Sequence, residues 1–276
     1  MKIQYLPDNV RYRSLSSEEL RQAFLMDDLF VPGKVTLKMV DVDRQVLGAA
    51  LPTTEPLPLL APKEFRTTSF CAAREVGVIN MGGAGQVRTA KEAFSVPHKG
   101  CVYLGRGTED IVFESASTAD PAAFFLVSFA AHTTFPSRAA APEEARILSL
   151  GSQAQANKRR IHQFIHVDGI RSCQLVMGFT ELEPGNVWNT MPPHTHERRC
   201  ETYAYFDLPE AHRLLHIMGT PQDTRHLWVA NRQAVVSPSW SMHSGVATHA
   251  YSFVWAMGGE NQSFDDMDAV PIHNLR

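Results

Sequence analysis

Three histidines and one glutamate stand in an order that could hold a metal ion: His194-Thr195-His196, then Glu201 five residues on, then the more distant His243. On an extended strand side chains alternate faces, so His194 and His196 point to one side and Thr195 to the other. Glu201 lies an odd number of positions past His196, and an uninterrupted strand would send it to the opposite face. The polar run Glu197-Arg198-Arg199 is therefore expected to turn or bulge the chain before a second strand, Glu201-Thr202-Tyr203-Ala204-Tyr205-Phe206. His243 follows the turn-prone Ser237-Pro238-Ser239-Trp240-Ser241 and precedes a strand-like run over 250–255, so it can close the site from a neighbouring hairpin. Neutral imidazole with carboxylate suits zinc, manganese, iron, nickel or cobalt, and such a set leaves room for water or substrate oxygens. That is the pattern of a catalytic site rather than a structural one. With twelve histidines in the chain a His-x-His pair also arises by chance, and it is the ordered glutamate and third histidine that favour the metal. Glu197, next to His196 but expected on the other face, is the competing ligand.

The rest of the chain must position these groups. Its 276 residues suffice for one large or two ordinary domains, and 44% hydrophobic with 20% charged residues is a globular composition. A formal net charge of −3 gives no reason to expect nucleic acid or an anionic membrane as partner, which leaves a small molecule as the expected ligand. Cys71, Cys101, Cys173 and Cys200 are widely spaced with no Cys-x-x-Cys, as in reduced cytosolic proteins. No run approaches the roughly 20 apolar residues of a membrane helix, and Met1 to Asp8 lacks the apolar core of a signal peptide, so a cytoplasmic location is expected.

Strand signals dominate. Ser16-Ser17-Glu18-Glu19 reads as a capping box, Ser16 at the cap and Glu19 at the third helical position, opening one short helix. Runs such as Val35-Thr36-Leu37-Lys38-Met39-Val40 and Val102-Tyr103-Leu104 alternate with turns, and Gly82-Gly83-Ala84-Gly85, lacking the Lys-Ser/Thr of a phosphate loop, is expected to be such a turn. Residues 137–145, rich in Ala and Pro, break the β pattern near the midpoint. Two halves of similar rhythm flank that break: 75–80 through 124–127 matches 177–180 through 251–254, with 103–108 falling where 236–241 would and Asp110 opposite His243. The first half has no His-x-His.

A strand-rich chain carrying His-x-His, Glu and a distant His resembles the cupin superfamily, and tandem halves resemble a bicupin. The wording of three stretches narrows this: 180–192 with 194–199, Ser237 to Gly245, and Gly77 to Gly85, together with His132-Thr133-Thr134-Phe135-Pro136 and 259–268, are similar to the 5-keto-4-deoxyuronate isomerase family over nearly the whole chain. The resemblance implies an all-β fold of two tandem cupin-type antiparallel β-barrels with few short helices, residues 1–140 without metal and 141–276 with it. It implies a zinc-dependent aldose-ketose isomerase of pectin and uronate breakdown, converting 5-dehydro-4-deoxy-D-glucuronate into 3-deoxy-D-glycero-2,5-hexodiulosonate. It further implies one Zn2+ per chain on His194, His196, Glu201 and His243, and a homohexamer. Pro193 and Cys200 depart from the family pattern beside the ligands and remove none of them.

Moving a carbonyl from C1 to C2 shifts one proton through an enediolate, whose negative oxygens a divalent ion stabilises, while a base carries the proton. Glu197 and Glu260 are the base candidates; a hydride shift, which needs no base, is the other route. Trp188 and Tyr203 are candidates to line the substrate pocket, although strand aromatics also serve as core. Arg198, with Arg199, Lys158, Arg159 and Arg160, is a cationic candidate for the substrate carboxylate; a solvated charge run is the plain alternative. Two other classes fit the same residues: a metal-dependent cupin dioxygenase and a non-catalytic sugar-binding cupin.

Overall fold

The computed structural model describes residues 1–260 and 262–276, and the expected all-β architecture is present. Nine strands build the first half: β1 (Val35–Val40), β2 (Val46–Ala50), β3 (Leu57–Pro58), β4 (Arg74–Asn80), β5 (Gly85–Arg88), β6 (Ala93–Val96), β7 (Cys101–Leu104), β8 (Val112–Ser115) and β9 (Phe124–Ala130). Nine more build the second: β10 (Arg159–Ile165), β11 (Val176–Leu182), β12 (Trp188–Thr195), β13 (Arg199–Phe206), β14 (Leu214–Thr220), β15 (Asp223–Val229), β16 (Gln233–Ser237), β17 (Met242–Ala247) and β18 (Ser252–Gly259). The large sheet of the first half runs β1-β2-β9-β4-β7 and that of the second β10-β11-β18-β13-β16, while the smaller sheets run β3-β8-β5-β6 and β12-β17-β14-β15. Each strand of the first half thus has its counterpart nine strands later. This order matches β4 with β13 and not with β11, which takes the place of β2, so the rhythm read between 75–80 and 177–180 is two strands out of phase. The match of 103–108 with 236–241 agrees with the equivalence of β7 and β16.

Each large sheet is covered on both faces, which explains runs such as Phe-Phe-Leu-Val-Ser-Phe in β9 and the complete burial of β4 and β13. Alternate residues point into the half's own interior or toward the other half. Val76, Val78, Val102, Leu104, Phe113, Phe124 and Leu126 fill the first interior. Tyr203, Tyr205, Phe253, Trp255 and Met257 line the second. Between the halves the outward faces meet in a common core that includes Phe125, Phe129, Met177, Phe179, Ala204 and Phe206. The approach there is close: a Cβ on Gly258 would come within 2.4 Å of the Phe129 ring.

Polar clamps join the halves as well. Glu75, fully buried, accepts hydrogen bonds from the Tyr103 hydroxyl (2.8 Å) and from the backbone N–H groups of Cys173, Gln174 and Leu175 at 2.6, 2.8 and 3.0 Å. Lys99 reaches across to Glu181 (3.0 Å) and Asp207 (2.9 Å), with His98 3.4 Å from Asp207 and His162 3.0 Å from Glu181.

The one α-helix among the described residues, α1 (Ser17–Phe24), starts at the expected capping box: Ser16 accepts from the Glu19 N–H, and the Glu19 carboxylate accepts from the Ser16 N–H at 2.8 Å. The short strand Leu25–Met26 behind it pairs with β16, so the amino-terminal arm completes the large sheet of the second half. Arg138–Ala140, within the run expected only to break the pattern, pairs with β7 at the matching edge of the first. Gly82 to Gly85 is the expected turn, organised by Asn80, whose side chain donates to the Gly83 carbonyl and accepts from the Gly82 N–H. Among the described residues no helix is long and apolar enough to cross a membrane, and the four cysteines are unpaired.

Candidate metal centre

β12 ends at Thr195, Glu197 and Arg198 form a turn, and β13 begins at Arg199, so the expected break restores Glu201 to the face of His194 and His196. A bulge in β12 between Asn189 and His194 then sets His194 directly opposite His243 of β17. Four ligand atoms converge. His196 Nε2 lies 2.8 Å and His243 Nε2 2.7 Å from Glu201 Oε2, and His194 Nε2 lies 3.1 Å from each of the other two imidazole nitrogens and 3.9 Å from the carboxylate. Ligands about 2.0–2.1 Å from a tetrahedral zinc would sit about 3.3–3.4 Å apart. All four atoms lie within 4.8 Å of one another.

The hydrogen bonding supports a cation at their centre. His196 Nδ1 donates to the Asp266 carbonyl at 2.7 Å, which leaves the Nε2 lone pair facing the Glu201 oxygen. Two such acceptors at 2.8 Å repel unless a positive charge sits between them, and a divalent ion shared by the four ligand atoms would supply it. Burial, and then the neighbouring His243, push His194 down to about 4, so it is a neutral ligand near pH 7. Burial by itself would raise the Glu201 carboxyl, but the three imidazoles outweigh it and hold the group well below the usual carboxylate range. The charge and donor set fit a divalent metal.

A cavity of about 210 Å³ opens onto His194, His196 and Glu201. Its walls include Arg159, Ile161, Thr190, Tyr203, Trp255, Phe264 and Met267. The Tyr203 hydroxyl shares a 2.9 Å hydrogen bond with Thr190, and burial raises its phenol well above the ordinary value. Behind the ligands, the fully buried His216 is bonded to the Tyr205 hydroxyl at 2.7 Å.

Of the cationic candidates, only Arg159 lines this cavity. It donates to the Asn157 carbonyl (2.8 Å), and no carboxylate pairs with it among the described residues; burial lowers its pKa. Lys158 pairs with Glu183 (2.9 Å), Arg160 with Glu181 (2.7 Å), and the exposed Arg198 reaches toward Asp266 at 3.8 Å. Arg199 is buried and donates to backbone carbonyls of the 263–266 segment. Tyr203 is in the cavity wall, whereas Trp188 is half-buried on β12 and outside it. Glu197 and Glu260 are exposed and neither lines the cavity, so they are not brought together with the metal cluster. Phe264 and Met267 were not foreseen as cavity residues; their segment has no strand or helix signal to place it. Alternation would have singled out Arg159, since it shares a face of β10 with the inward Ile161 while Arg160 and His162 share the other.

A model of the KduI/IolB family matches residues 29–272. The 4-deoxy-L-threo-5-hexosulose-uronate ketol-isomerase of Opitutus terrae is 49% identical over the full length of both chains, and that of Escherichia coli O8 is 43% identical over 96% of each. Among solved structures, an IolB-like protein from Salmonella typhimurium superposes with a TM-score of 0.67 at 16% identity, covering 90% of this chain and 96% of the other. An oxalate decarboxylase of Bacillus subtilis gives 0.55 at 10% identity, covering 82% of this chain and 71% of its own, which is a likeness of fold alone. The chain belongs to the KduI/IolB family.

Proposed function

We propose that the chain is an aldose-ketose isomerase that converts 5-dehydro-4-deoxy-D-glucuronate into 3-deoxy-D-glycero-2,5-hexodiulosonate in uronate breakdown, using one zinc ion held by His194, His196, Glu201 and His243. The observation that carries this reading is that one cavity is lined by three members of the four-ligand cluster and by a guanidinium that no carboxylate pairs with among the described residues. The names of the full-length relatives supply the substrate. The proposed working form is a homohexamer, as the family resemblance implies, in the cytoplasm.

When bound, the zinc ion supplies Lewis acidity toward the sugar oxygens. Arg159 supplies the counter-charge for the substrate carboxylate, a charge-assisted contact that fixes which end of the sugar meets the ligand cluster. Tyr203, held by Thr190, presents its hydroxyl to the same space and orients a substrate hydroxyl. Phe264, Trp255 and Met267 exclude water. Glu197 and Glu260, the carboxylates expected to act as base, face solvent. Tyr203, kept neutral by burial, can donate a proton but not take one, so a hydride shift, which needs no base, is the route these cavity residues favour.

Following the uronate by NMR, before and after metal removal and zinc repletion, tests this reading. Turnover lost on chelation and restored by zinc is expected, with Glu197→Gln and Glu260→Gln within about twofold of wild type, as for surface changes remote from a site. Absence of turnover, or turnover indifferent to metal, would contradict the assignment, and a large loss in either glutamine variant would return the base to that carboxylate.

A further inference from the structure

Residues 262–270 run against the cavity and the strand that carries two of its ligands. Gln262 donates to the Ser172 carbonyl (3.1 Å), Phe264 packs on Trp255 with ring centroids 5.3 Å apart, and Phe264 and Met267 form part of the cavity wall. Asp268–Ala269 then pairs with Thr195 and His194, and the Val270 N–H donates to the Pro193 carbonyl at 2.9 Å. The segment is thus seated on the strand that carries two of the metal ligands.

Its inner edge is held by Arg199. This side chain is 1% exposed and heads the largest fully buried side chains of the molecule. Its guanidinium donates to the carbonyls of Ser263, Phe264 (3.2 Å) and Asp266 (3.2 Å). The Asp266 carbonyl is shared: it also accepts the 2.7 Å hydrogen bond from His196 Nδ1. One backbone oxygen therefore fixes both the tautomer of a metal ligand and the position of the cavity wall. The rigid planar fork of arginine spans several carbonyls at once, which a lysine ammonium on a flexible stem does not reproduce.

We propose that Arg199 is a positioning residue that couples the metal ligand His196 to the segment 262–270, so that binding of the divalent ion and closure of the cavity by that segment are one linked event. The proposal rests on the metal reading above. A ligand imidazole is oriented by the partner of its second nitrogen. An ion that selects one orientation of His196 selects the placement of Asp266 that supports it, and through Arg199 the placement of Ser263 and Phe264. Linkage makes the effect reciprocal, so loosening the segment weakens the ion by the same factor.

The test uses the full chain and zinc alone. Chymotryptic cleavage after Phe264, followed by mass spectrometry, reports opening of the segment, and a zinc titration reports affinity separately. In the wild type, saturating zinc should slow this cleavage by about tenfold or more. In Arg199→Met, zinc affinity should fall by about ten- to a hundredfold, the usual effect of removing a partner that orients a ligand, and saturating zinc should change cleavage less than twofold. Arg199→Lys should fall between them; should the methionine variant fail to fold by circular dichroism, the wild type and the lysine variant decide. A wild type that binds zinc with no change in cleavage, or an Arg199→Met chain fully protected by zinc, overturns the coupling and leaves the metal centre standing. A wild type that binds no zinc overturns the metal reading and the coupling with it.

Discussion

The two halves share one strand order and differ in what fills them. Glu201 on β13 sits opposite Met257 on β18 and Ser237 at the end of β16; on β4 the residue opposite Ser128 on β9 and Leu104 at the end of β7 is Val76. Val76 is fully buried among Val78, Val102 and Leu104, and β3 and β8, the counterparts of the histidine-bearing β12 and β17, read Leu-Pro and Val-Phe-Glu-Ser. The first interior is thus apolar and packed. The second is ringed by aromatics, with imidazoles and a carboxylate at one end of a cavity. The frame itself needs no metal: what makes a site is the exchange of interior side chains at a few equivalent strand positions, at the cost of apolar burial there.

The largest effect is expected when the second half's residue is written into the first. Val76→Glu places a carboxylate among aliphatic side chains with no imidazole to meet it, and should destabilise the fold by about 3–5 kcal/mol, as an uncompensated buried charge does. Denaturant unfolding measures this, and a loss below about 1 kcal/mol would show that the first interior tolerates a ligand-like group.

A smaller effect is expected from Arg159→Met in the second half. Losing a charge-assisted hydrogen bond to a carboxylate, about 1.5–3 kcal/mol, should raise KM for the uronate roughly tenfold to a hundredfold with kcat nearly kept, because the contact is made in ground and transition states alike. A fall in kcat at constant KM would move Arg159 from binding the carboxylate to the chemistry.

The smallest effect concerns the clamp between the halves. Hydrogen bonding to His162, then to Lys99, outweighs burial and holds Glu181 at about 2 against an ordinary 4.5; for Asp207, burial raises the carboxyl but His98 and Lys99 prevail and hold it at about 2 against 3.8. Both are depressed in the folded chain, so their stabilisation is present above about pH 4.5 and is lost as pH falls toward 2. His98 is raised above 6.5, mainly by Asp207, so its contribution is present below pH 6.5 and fades as pH rises through the raised value. Tm should be highest near pH 5–6.5, and Lys99→Met should lower it there by more than at pH 2.5. An equal loss at both pH values would separate Lys99 from these carboxylates.

Much of the site was legible because backbone alternation leaves few choices. His194 and His196 share a face, and the polar Glu197-Arg198-Arg199 announced the turn that returns Glu201 to it. Other features were hidden for physical reasons. Arg199 looks like one of a solvated pair with Arg198, and only the returning 263–266 carbonyls make its burial favourable. Arg159 sits in a run of three cations, of which its neighbours are neutralised by Glu181 and Glu183 on an adjacent strand and loop. The pairing of Leu25–Met26 with β16 spans some two hundred residues, and no local pattern encodes such a contact. The Ala/Pro-rich run of 137–145 concealed the edge strand Arg138–Ala140 because alanine carries a weak strand signal.

We propose that one half alone of the duplicated frame holds the ion. Elemental analysis of the purified chain measures this directly, for the wild type and for His194→Ala combined with His243→Ala. About one divalent ion per chain in the wild type and none in the double variant, with the fold kept, is the predicted result; two ions per chain, or full occupancy without the two histidines, would contradict it.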